Sequence, residues 1–235
     1  MKRMIKISLI LLLVGMAVIA AVPFFKEKEA EKKSENGFKE IKESVTDKED
    51  KTINVEKLER ENEDCIGYLE VPGTSISYPV MQTRDNPDFY LNHDFNKNYS
   101  FYGTPYLSAY CDLEKSDNLI IYGHNINGGK MFGALEKYKD KNFFDRHRKI
   151  YFTTDRRREY EVFAVMSVNV KEFKYWKFVM AKDEKSYDEF VEKVLEHSLW
   201  NTGEKPQYGN QMLMLSTCDN GKGDDWRIVV VGKEI

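Results

Sequence analysis

The sequence predicts a mainly β domain, an eight-stranded β-barrel with amino-terminal helices and with helices inserted singly between strands. Short apolar runs, roughly eight of them, follow one another between Cys65 and Gly232, and they are rich in β-branched residues or alternate in polarity. Glycine, proline, asparagine and aspartate separate these runs, as expected of turns. Helical periodicity is confined to a few segments, whereas a parallel α/β sheet requires a helix after nearly every strand.

The composition of the chain excludes several classes of function. With 235 residues there is room for one domain of moderate size, and a net charge of −3 leaves no basic stripe for nucleic acid. The three cysteines, Cys65, Cys111 and Cys218, are widely spaced and form no CxxC pair. This pattern argues against a structural zinc site and against a disulfide framework. We therefore expect no metal, no cofactor and no nucleic-acid partner.

The amino-terminal part predicts a membrane-anchored protein. Residues 1–6 are a basic tail, and residues 7–24 form an apolar run long enough for a signal anchor that leaves the tail in the cytoplasm. Residues 25–52 are a charged stalk, and residues 53–235 are the exported domain. The expected location is the cell membrane, with a single pass and an extracellular domain. A cleaved signal peptide is the alternative, since Ala20 and Ala21 are small residues of the kind that border a cleavage site.

The first elements of the domain are short. We predict a helix over Asn54–Asn62, strands over Ile66–Val71 and Ile76–Met81, a helical turn through Phe89–Leu91 and a strand over Pro105–Tyr110. Pro79 indicates an edge strand or a bulge, because proline cannot donate to a sheet ladder. His93 and Asp94 resemble a fragment of a metal site, but no companion ligands follow at a useful spacing.

The middle of the chain combines a buried strand with a hairpin and a long insertion. A helix is expected over Met131–Tyr138 and a short turn over Asn142–His147. A hairpin is expected over Lys149–Thr153 and Arg158–Val170, with Arg156, Arg157 and Arg158 at a solvated tip. In the insertion, residues 171–210, Ser186 and Glu189 match a capping box at the start of an amphipathic helix. Its apolar stripe is best read as packing against the barrel.

Three strand ends carry the residue types of a nucleophilic site. The run Met212–Cys218 delivers a cysteine, and Arg227 opens the next run, so both side chains can face one volume. A thiolate needs a nearby base or cation, and a reacting carbonyl needs a donor for its developing charge. The run from Asn118 ends beside His124, which is placed either as a catalytic group or as a histidine that only forms a loop hydrogen bond.

The chain resembles a sortase, a cysteine transpeptidase of Gram-positive cell surfaces, in three stretches. These are Tyr122–Asn125, Leu215–Cys218 and, after them, Arg227. The insertion before the last strands and the sequence Gly67–Thr74 resemble the class B branch. Met214 departs from the family pattern TLxTC, which often begins with threonine. The resemblance implies an eight-stranded barrel with amino-terminal helices. It also implies that the acceptor is an amine of peptidoglycan.

The resemblance also implies roles for individual residues. Cys218 would attack the threonine carbonyl of an NPxTx-like sorting motif on a secreted surface protein, His124 would transfer protons, and Arg227 would donate hydrogen bonds. Leu91, Ser216 and Thr217 match substrate-contact positions of the family, and Asp219 or Asp225 is a possible partner for the histidine, although loop carboxylates are usually solvated. Two alternatives stay open, a papain-like cysteine peptidase that only hydrolyses and a membrane-tethered binding domain with an inert Cys218.

Overall fold

The computed structural model describes residues 22, 28–47, 49, 52–200 and 202–235. Two compact units are distinguished, residues 1–41 and residues 42–235. The described residues of the first unit, 22 and 28–41, are helical. Apart from Val22, the predicted signal anchor at residues 7–24 lies outside the described residues. Among the helices that are described, none combines the length and the apolar character needed to cross a membrane.

The second unit is built around a closed barrel. Its strands are β1 Cys65–Glu70, β2 Ser77–Met81, β3 Tyr106–Leu107, β4 Asn118–Tyr122, β7 Lys149–Thr153, β8 Arg157–Asn169, β9 Met212–Cys218 and β10 Trp226–Glu234, and the small hairpin strands β5 Asn125–Ile126 and β6 Lys130–Met131 lie outside it. The order around the barrel is β1-β2-β3-β4-β9-β10-β8-β7, and β7 pairs with β1 to close it. The predicted eight-stranded β-barrel is therefore confirmed.

The strands β4, β9 and β10 form the most deeply buried side of this barrel. Residues 212–217 of β9 are all buried, and so are residues 228–232 of β10. Burying one large aliphatic side chain contributes about 1.5–3 kcal/mol, so these apolar runs fix the sheet and its register. The strand β9 pairs in parallel with β4 and antiparallel with β10. This central position makes the end of β9 a rigid place for a functional residue.

Helices border the barrel and mostly agree with the predictions. They are α1 Val55–Glu61, a 3-10 helix Phe89–Leu91, a 3-10 helix Phe132–Lys139, α2 Lys141–Arg146, a 3-10 turn Tyr175–Lys177 and α3 Glu184–Glu196. The helix predicted at Met131–Tyr138 is a 3-10 helix. The capping box of α3 is formed by Asp183 and Ser186, one turn earlier than predicted, because the Asp183 side chain accepts from the Ser186 N–H at 2.8 Å.

Two further predictions need correction, and one is supported. The strand expected over Pro105–Tyr110 is only Tyr106–Leu107. Arg158 does not lie at a solvated tip, because its side chain is 2% exposed and bonds to the Leu113 carbonyl, whereas the side chain of Arg156 is 62% exposed. Pro79 lies in β2 opposite β1, and although β2 is an inner strand of the closed barrel, β3 pairs with it only at Met81. Pro79 therefore lies in a stretch of β2 that is paired on one side, where a missing N–H is tolerated.

Candidate active site

The sheet register aligns three strand ends at one level. In the parallel pair of β4 and β9, Tyr122 lies opposite Ser216, so the chain continues with His124 at the level of Cys218. In the antiparallel pair of β9 and β10, Cys218 lies directly opposite Arg227. Paired residues project from the same face of a sheet. The topology thus brings the cysteine, the histidine and the arginine, which are far apart in sequence, to one mouth of the barrel.

A cleft of about 530 Å³ opens at this mouth. All six residues proposed from the sequence line it, namely Leu91, His124, Ser216, Thr217, Cys218 and Arg227. Aromatic side chains contribute much of the remaining wall, including Tyr106, Tyr110, Tyr122 and Trp176. A concave site with apolar walls and a few convergent polar groups is the usual form of a substrate-binding pocket.

Cys218 differs from the other two cysteines in its environment. It is partly exposed in the cleft, whereas Cys65 and Cys111 are buried, and all three are free. Burial raises the pKa of Cys65 to about 12 and that of Cys111 to about 11. Because the thiolate is the reactive form, these two thiols are unreactive at neutral pH. Cys218 is the one cysteine of this chain that a substrate can reach.

His124 is held by the loop that follows β2. Its Nε2 lies 2.8 Å from the carbonyl oxygen of Leu91, and its ring lies parallel to that of Phe101 with centroids 6.3 Å apart. Since a carbonyl oxygen only accepts, Nε2 carries the hydrogen in this contact, and in the neutral ring Nδ1 is the nitrogen that can take up a proton. The backbone carbonyl of Leu91 thereby orients the His124 imidazole, independently of the Leu91 side chain.

Arg227 places a permanent positive charge among the aromatic residues of the cleft. Its Nη1 donates to the carbonyl oxygens of Asp224 at 2.6 Å and of Trp226 at 2.9 Å. Burial raises the pKa of Tyr106 and of Tyr122, and the guanidinium charge opposes this shift only in part. Both phenols therefore stay protonated beside the cation, and the Tyr106 OH donates to the Asp88 Oδ1 at 3.1 Å.

The hydroxyl groups beside the cysteine are engaged within the protein. The Ser216 Oγ and the Tyr175 OH lie 2.7 Å apart in the buried wall of the cleft. The Thr217 Oγ1 donates to the Gly123 carbonyl at 2.7 Å, which ties the end of β9 to the turn before His124. These two residues therefore shape the cleft and hold its strands together, in addition to any contact with a substrate.

The carboxylates considered as histidine partners lie elsewhere. The Asp219 side chain is fully buried and accepts hydrogen bonds from the Lys139 Nζ at 2.8 Å and the Ser167 Oγ at 2.7 Å. The expectation that this loop carboxylate is solvated is thus wrong, because two donors compensate its burial. Asp225 forms an ion pair with Lys171 at the surface. Within the described structure, neither carboxylate bonds to His124.

Two interactions at the site had no sequence signal. Asn125 donates to the Cys218 carbonyl, and Trp176, from the long insertion, lines the cleft. Their side chains arrive through long-range pairing, which a local pattern does not encode. His93, by contrast, contacts Phe89 by stacking at 3.8 Å and through its Nδ1. In the part of the chain that is described, no cluster of three candidate metal ligands occurs.

Comparison with known proteins places the fold and the sequence in one group. The sequence model of the Sortase domain family matches residues 69–235. The chain is 31% identical to Sortase B of Staphylococcus aureus (strain NCTC 8325 / PS 47), over 77% of this chain and 74% of that protein. It is 32% identical to Sortase B of Listeria monocytogenes serovar 1/2a, over 75% and 72%. The solved Staphylococcus aureus sortase B–substrate complex superposes with a TM-score of 0.78 at 26% identity, covering 87% of this chain and 97% of that one.

Proposed function

This chain belongs to the sortase family, in its class B branch, and is therefore a cysteine transpeptidase; on that premise we propose that Cys218, His124 and Arg227 are its catalytic residues. The observation that carries the proposal is the strand register, which sets Cys218 opposite Arg227 and continues β4 to His124 at the same level. We further propose that the substrate is an exported surface protein that ends in an NPxTx-like sorting motif.

In the first half-reaction the Cys218 thiolate attacks the carbonyl carbon of the motif's threonine. A carbon–sulfur bond forms, and the bond from that carbon to the next residue's nitrogen breaks. His124, in its protonated form, donates a proton to the departing amine and is left neutral. The product is a thioacyl enzyme that holds the surface protein through its threonine.

Arg227 has donors to spare for the oxyanion. A guanidinium carries five N–H groups, and the two bonds to the Asp224 and Trp226 carbonyls both come from Nη1. The N–H groups on Nε and Nη2 can therefore bind the negative oxygen that develops during attack, or the substrate backbone. Because the side chain is charged at every working pH, this donation does not depend on a titration.

In the second half-reaction an amine of a peptidoglycan precursor attacks the thioacyl carbon. Neutral His124 accepts the amine proton, a new amide bond forms, and the Cys218 sulfur leaves as a thiolate. Leu91, Ser216 and Thr217, which line the cleft, are the proposed contacts for the sorting motif. The aromatic walls offer apolar surface for its non-reacting side chains.

The two alternatives are less consistent with the geometry. Papain-like peptidases carry their cysteine early in the chain and on a helix, whereas Cys218 ends a strand near the carboxyl terminus. A binding domain with an inert cysteine has no need for an accessible thiol beside an imidazole and a guanidinium. Hydrolysis without transfer is then the outcome that experiment has to separate from transpeptidation.

The test uses the exported domain, a fluorogenic peptide with an NPxTx-like motif and an added amine nucleophile. We expect peptide cleavage, a ligated product by mass spectrometry, and complete loss of both in Cys218→Ala. His124→Ala and Arg227→Ala should each lower kcat/KM by at least about 100-fold, as removal of a general acid or an oxyanion donor does. Full activity in Cys218→Ala would refute the mechanism, and cleavage without any ligated product would favour a hydrolase.

A further inference from the structure

A closed ring of side-chain contacts surrounds the peptide bond that follows the cysteine. The Asn125 Nδ2 donates to the Cys218 carbonyl at 2.7 Å and to the Glu136 Oε1 at 2.9 Å. The Lys139 Nζ lies 2.8 Å from the Glu136 Oε2 and 2.8 Å from the Asp219 Oδ1. Since Asp219 is bonded covalently to Cys218, these contacts return to their starting point. We call Asn125, Glu136, Lys139 and Asp219 the Asn125–Asp219 ring.

The ring holds one ammonium group, Lys139, between two carboxyl groups, Glu136 and Asp219. Burial by itself would raise the pKa of Asp219, but the hydrogen bonds from Lys139 and Ser167 outweigh it and lower that pKa. Burial would likewise lower the pKa of Lys139, yet its bonds to Asp219 and Glu136 raise it. At neutral pH Lys139 and Asp219 are therefore both ionised, and their ion pair is intact. Removing the Lys139 ammonium leaves the buried Asp219 carboxylate without its counter-ion.

The position of the ring matters because the sheet ladder ends before the proposed catalytic residues. The parallel pairing of β4 with β9 stops at Tyr122 and Ser216, with one more backbone bond from the Gly123 N–H to the Ser216 carbonyl at 3.2 Å. Beyond that point the Asn125 side chain takes over the role of the ladder by binding the Cys218 carbonyl. Asn125 directly follows His124, so this bond joins the backbone of the cysteine to the segment of the histidine. It acts beside the bond from the Thr217 Oγ1 to the Gly123 carbonyl and the bond from the Asn220 Nδ2 to the Asn125 carbonyl at 3.3 Å.

We propose that the Asn125–Asp219 ring is a positioning device that fixes the Cys218 thiol relative to the His124 imidazole. The inference rests on the proposed function, in which these two groups exchange protons and share a substrate. The residues of the ring act through the backbone of Cys218 and His124 and are not catalytic residues themselves. Glu136 and Lys139 project from a 3-10 helix that packs beside β9, which gives the ring a rigid support.

Loss of a positioning contact lowers kcat more than it changes KM, because the ground-state contacts of the substrate remain. For Asn125→Ala we expect kcat to fall about 10- to 100-fold, with KM changed by less than about threefold. The matched control is Asn127→Ala, an exposed amide two residues further on, which should keep wild-type kinetics.

The lysine allows a rescue experiment on the same ring. Lys139→Met removes both ion pairs and should lower kcat to a similar extent, whereas Lys139→Arg keeps the charge and should restore most of it. Lys137→Met, on the same helix but exposed and outside the ring, is the control and should not change kcat. If Lys139→Met and Lys139→Arg lose kcat equally, and in proportion to a lowered melting temperature, the ring only stabilises the fold. That result would overturn the proposal.

A measurement without substrate separates this inference from the proposed function. The Asp219 N–H donates to the Trp226 carbonyl at 2.9 Å, and its hydrogen exchange can be followed by NMR. We expect this amide to exchange at least about tenfold faster in Asn125→Ala than in the wild type or Asn127→Ala. Faster exchange in Asn125→Ala, found together with a wild-type protein that cleaves no sorting peptide, would support the ring while refuting the proposed reaction. Unchanged exchange together with unchanged kcat in Asn125→Ala would overturn the ring.

Discussion

The same residue type takes on different chemistry in this protein according to its surroundings. The Cys65 Sγ lies 3.6 Å from the Gly67 carbonyl and the Cys111 Sγ lies 3.5 Å from the Asn118 carbonyl, so both thiols act as weak donors inside the barrel wall. Such cysteines behave as small hydrophobic residues. The Cys218 side chain instead faces the cleft. Thiol reactivity should therefore distinguish the three positions without any substrate.

Brief treatment of the native protein with iodoacetamide at pH 8 should modify Cys218 alone. The reason is that the buried thiols have raised pKa values, about 12 for Cys65 and about 11 for Cys111, and are shielded from the reagent. Peptide mapping by mass spectrometry gives the modified fraction at each site. Cys218→Ala is the control and should take up no label until it is unfolded. Comparable labelling of Cys111 in the native protein would contradict the assigned burial.

The buried thiols also predict an alkaline loss of stability. Both have a folded-state pKa above the ordinary value of 9.0, so their stabilising contribution is complete below pH 9 and is lost as pH rises through 11 to 12. Between pH 9.0 and its raised folded-state pKa, each thiol should lower the free energy of unfolding by up to about 1.4 kcal/mol per pH unit. Urea unfolding at pH 8 and pH 10 measures this decline in the free energy of unfolding. The variant Cys65→Ala/Cys111→Ala should show a shallower decline than the wild type, and parallel declines would speak against this account.

At the scale of single elements, sequence patterns identified the helices and strands better than their ends. The apolar stripe of α3 was enough to predict a helix, but two capping boxes compete at its start. Asp183 prevails because its side chain reaches the Ser186 N–H while the Ser186 Oγ bonds back to the Asp183 N–H at 3.1 Å. Local composition does not decide between overlapping caps, since the choice depends on where the barrel allows the helix to begin.

Asp183→Ala should destabilise the domain by about 1 kcal/mol, the usual loss for an N-cap residue. The Asp183 pKa is lowered by the Ser186 hydrogen bonds, so the carboxylate is ionised and accepts at neutral pH. Glu189→Ala serves as the control, because Glu189 forms only an exposed ion pair with Lys185 at 3.8 Å. Chemical denaturation gives the free energy of unfolding of both variants. A larger loss for Glu189→Ala would restore the cap originally predicted at Ser186.

Arg158 gives a second test at this scale. Its buried guanidinium bonds to the Thr154 Oγ1 and the Leu113 carbonyl, each at 3.3 Å, so it joins strand β8 to the turn before β4. Arg158→Met keeps the apolar stem but removes these bonds, and we expect a loss of about 2–3 kcal/mol in the free energy of unfolding. Arg156→Met, at an exposed neighbour, should cost less than about 0.5 kcal/mol. Equal effects of the two substitutions would mean that the arginine cluster is solvated throughout.

For the whole molecule, the barrel and the residues Cys218, His124 and Arg227 were accessible from sequence because each strand carries its own apolar pattern. Leu91, Ser216 and Thr217 came from the resemblance to the sortases. The composition of the short runs predicted the class of fold, and the cysteine, histidine and arginine each follow or begin such a run. The contact of Lys139 with Asp219 was not accessible, since 80 residues separate the partners and neither segment marks the other. Asp219 therefore had the appearance of a solvated loop residue. Pairing between distant segments decides which polar residues are buried.

The membrane anchor proposed at residues 7–24 makes a prediction for the full chain. With the basic tail ahead of an apolar run, the chain should stay in the membrane fraction after carbonate extraction at pH 11, with its carboxyl-terminal domain cleavable by protease added to protoplasts. Deletion of residues 1–24 is the control and should release the domain. Leu12→Arg should also lower the membrane fraction, because an arginine at the centre of a span costs about 2.5–3.5 kcal/mol. A released mature chain that lacks Ala20 would instead establish a cleaved signal peptide, and the domain would then reach its acceptor amine by diffusion.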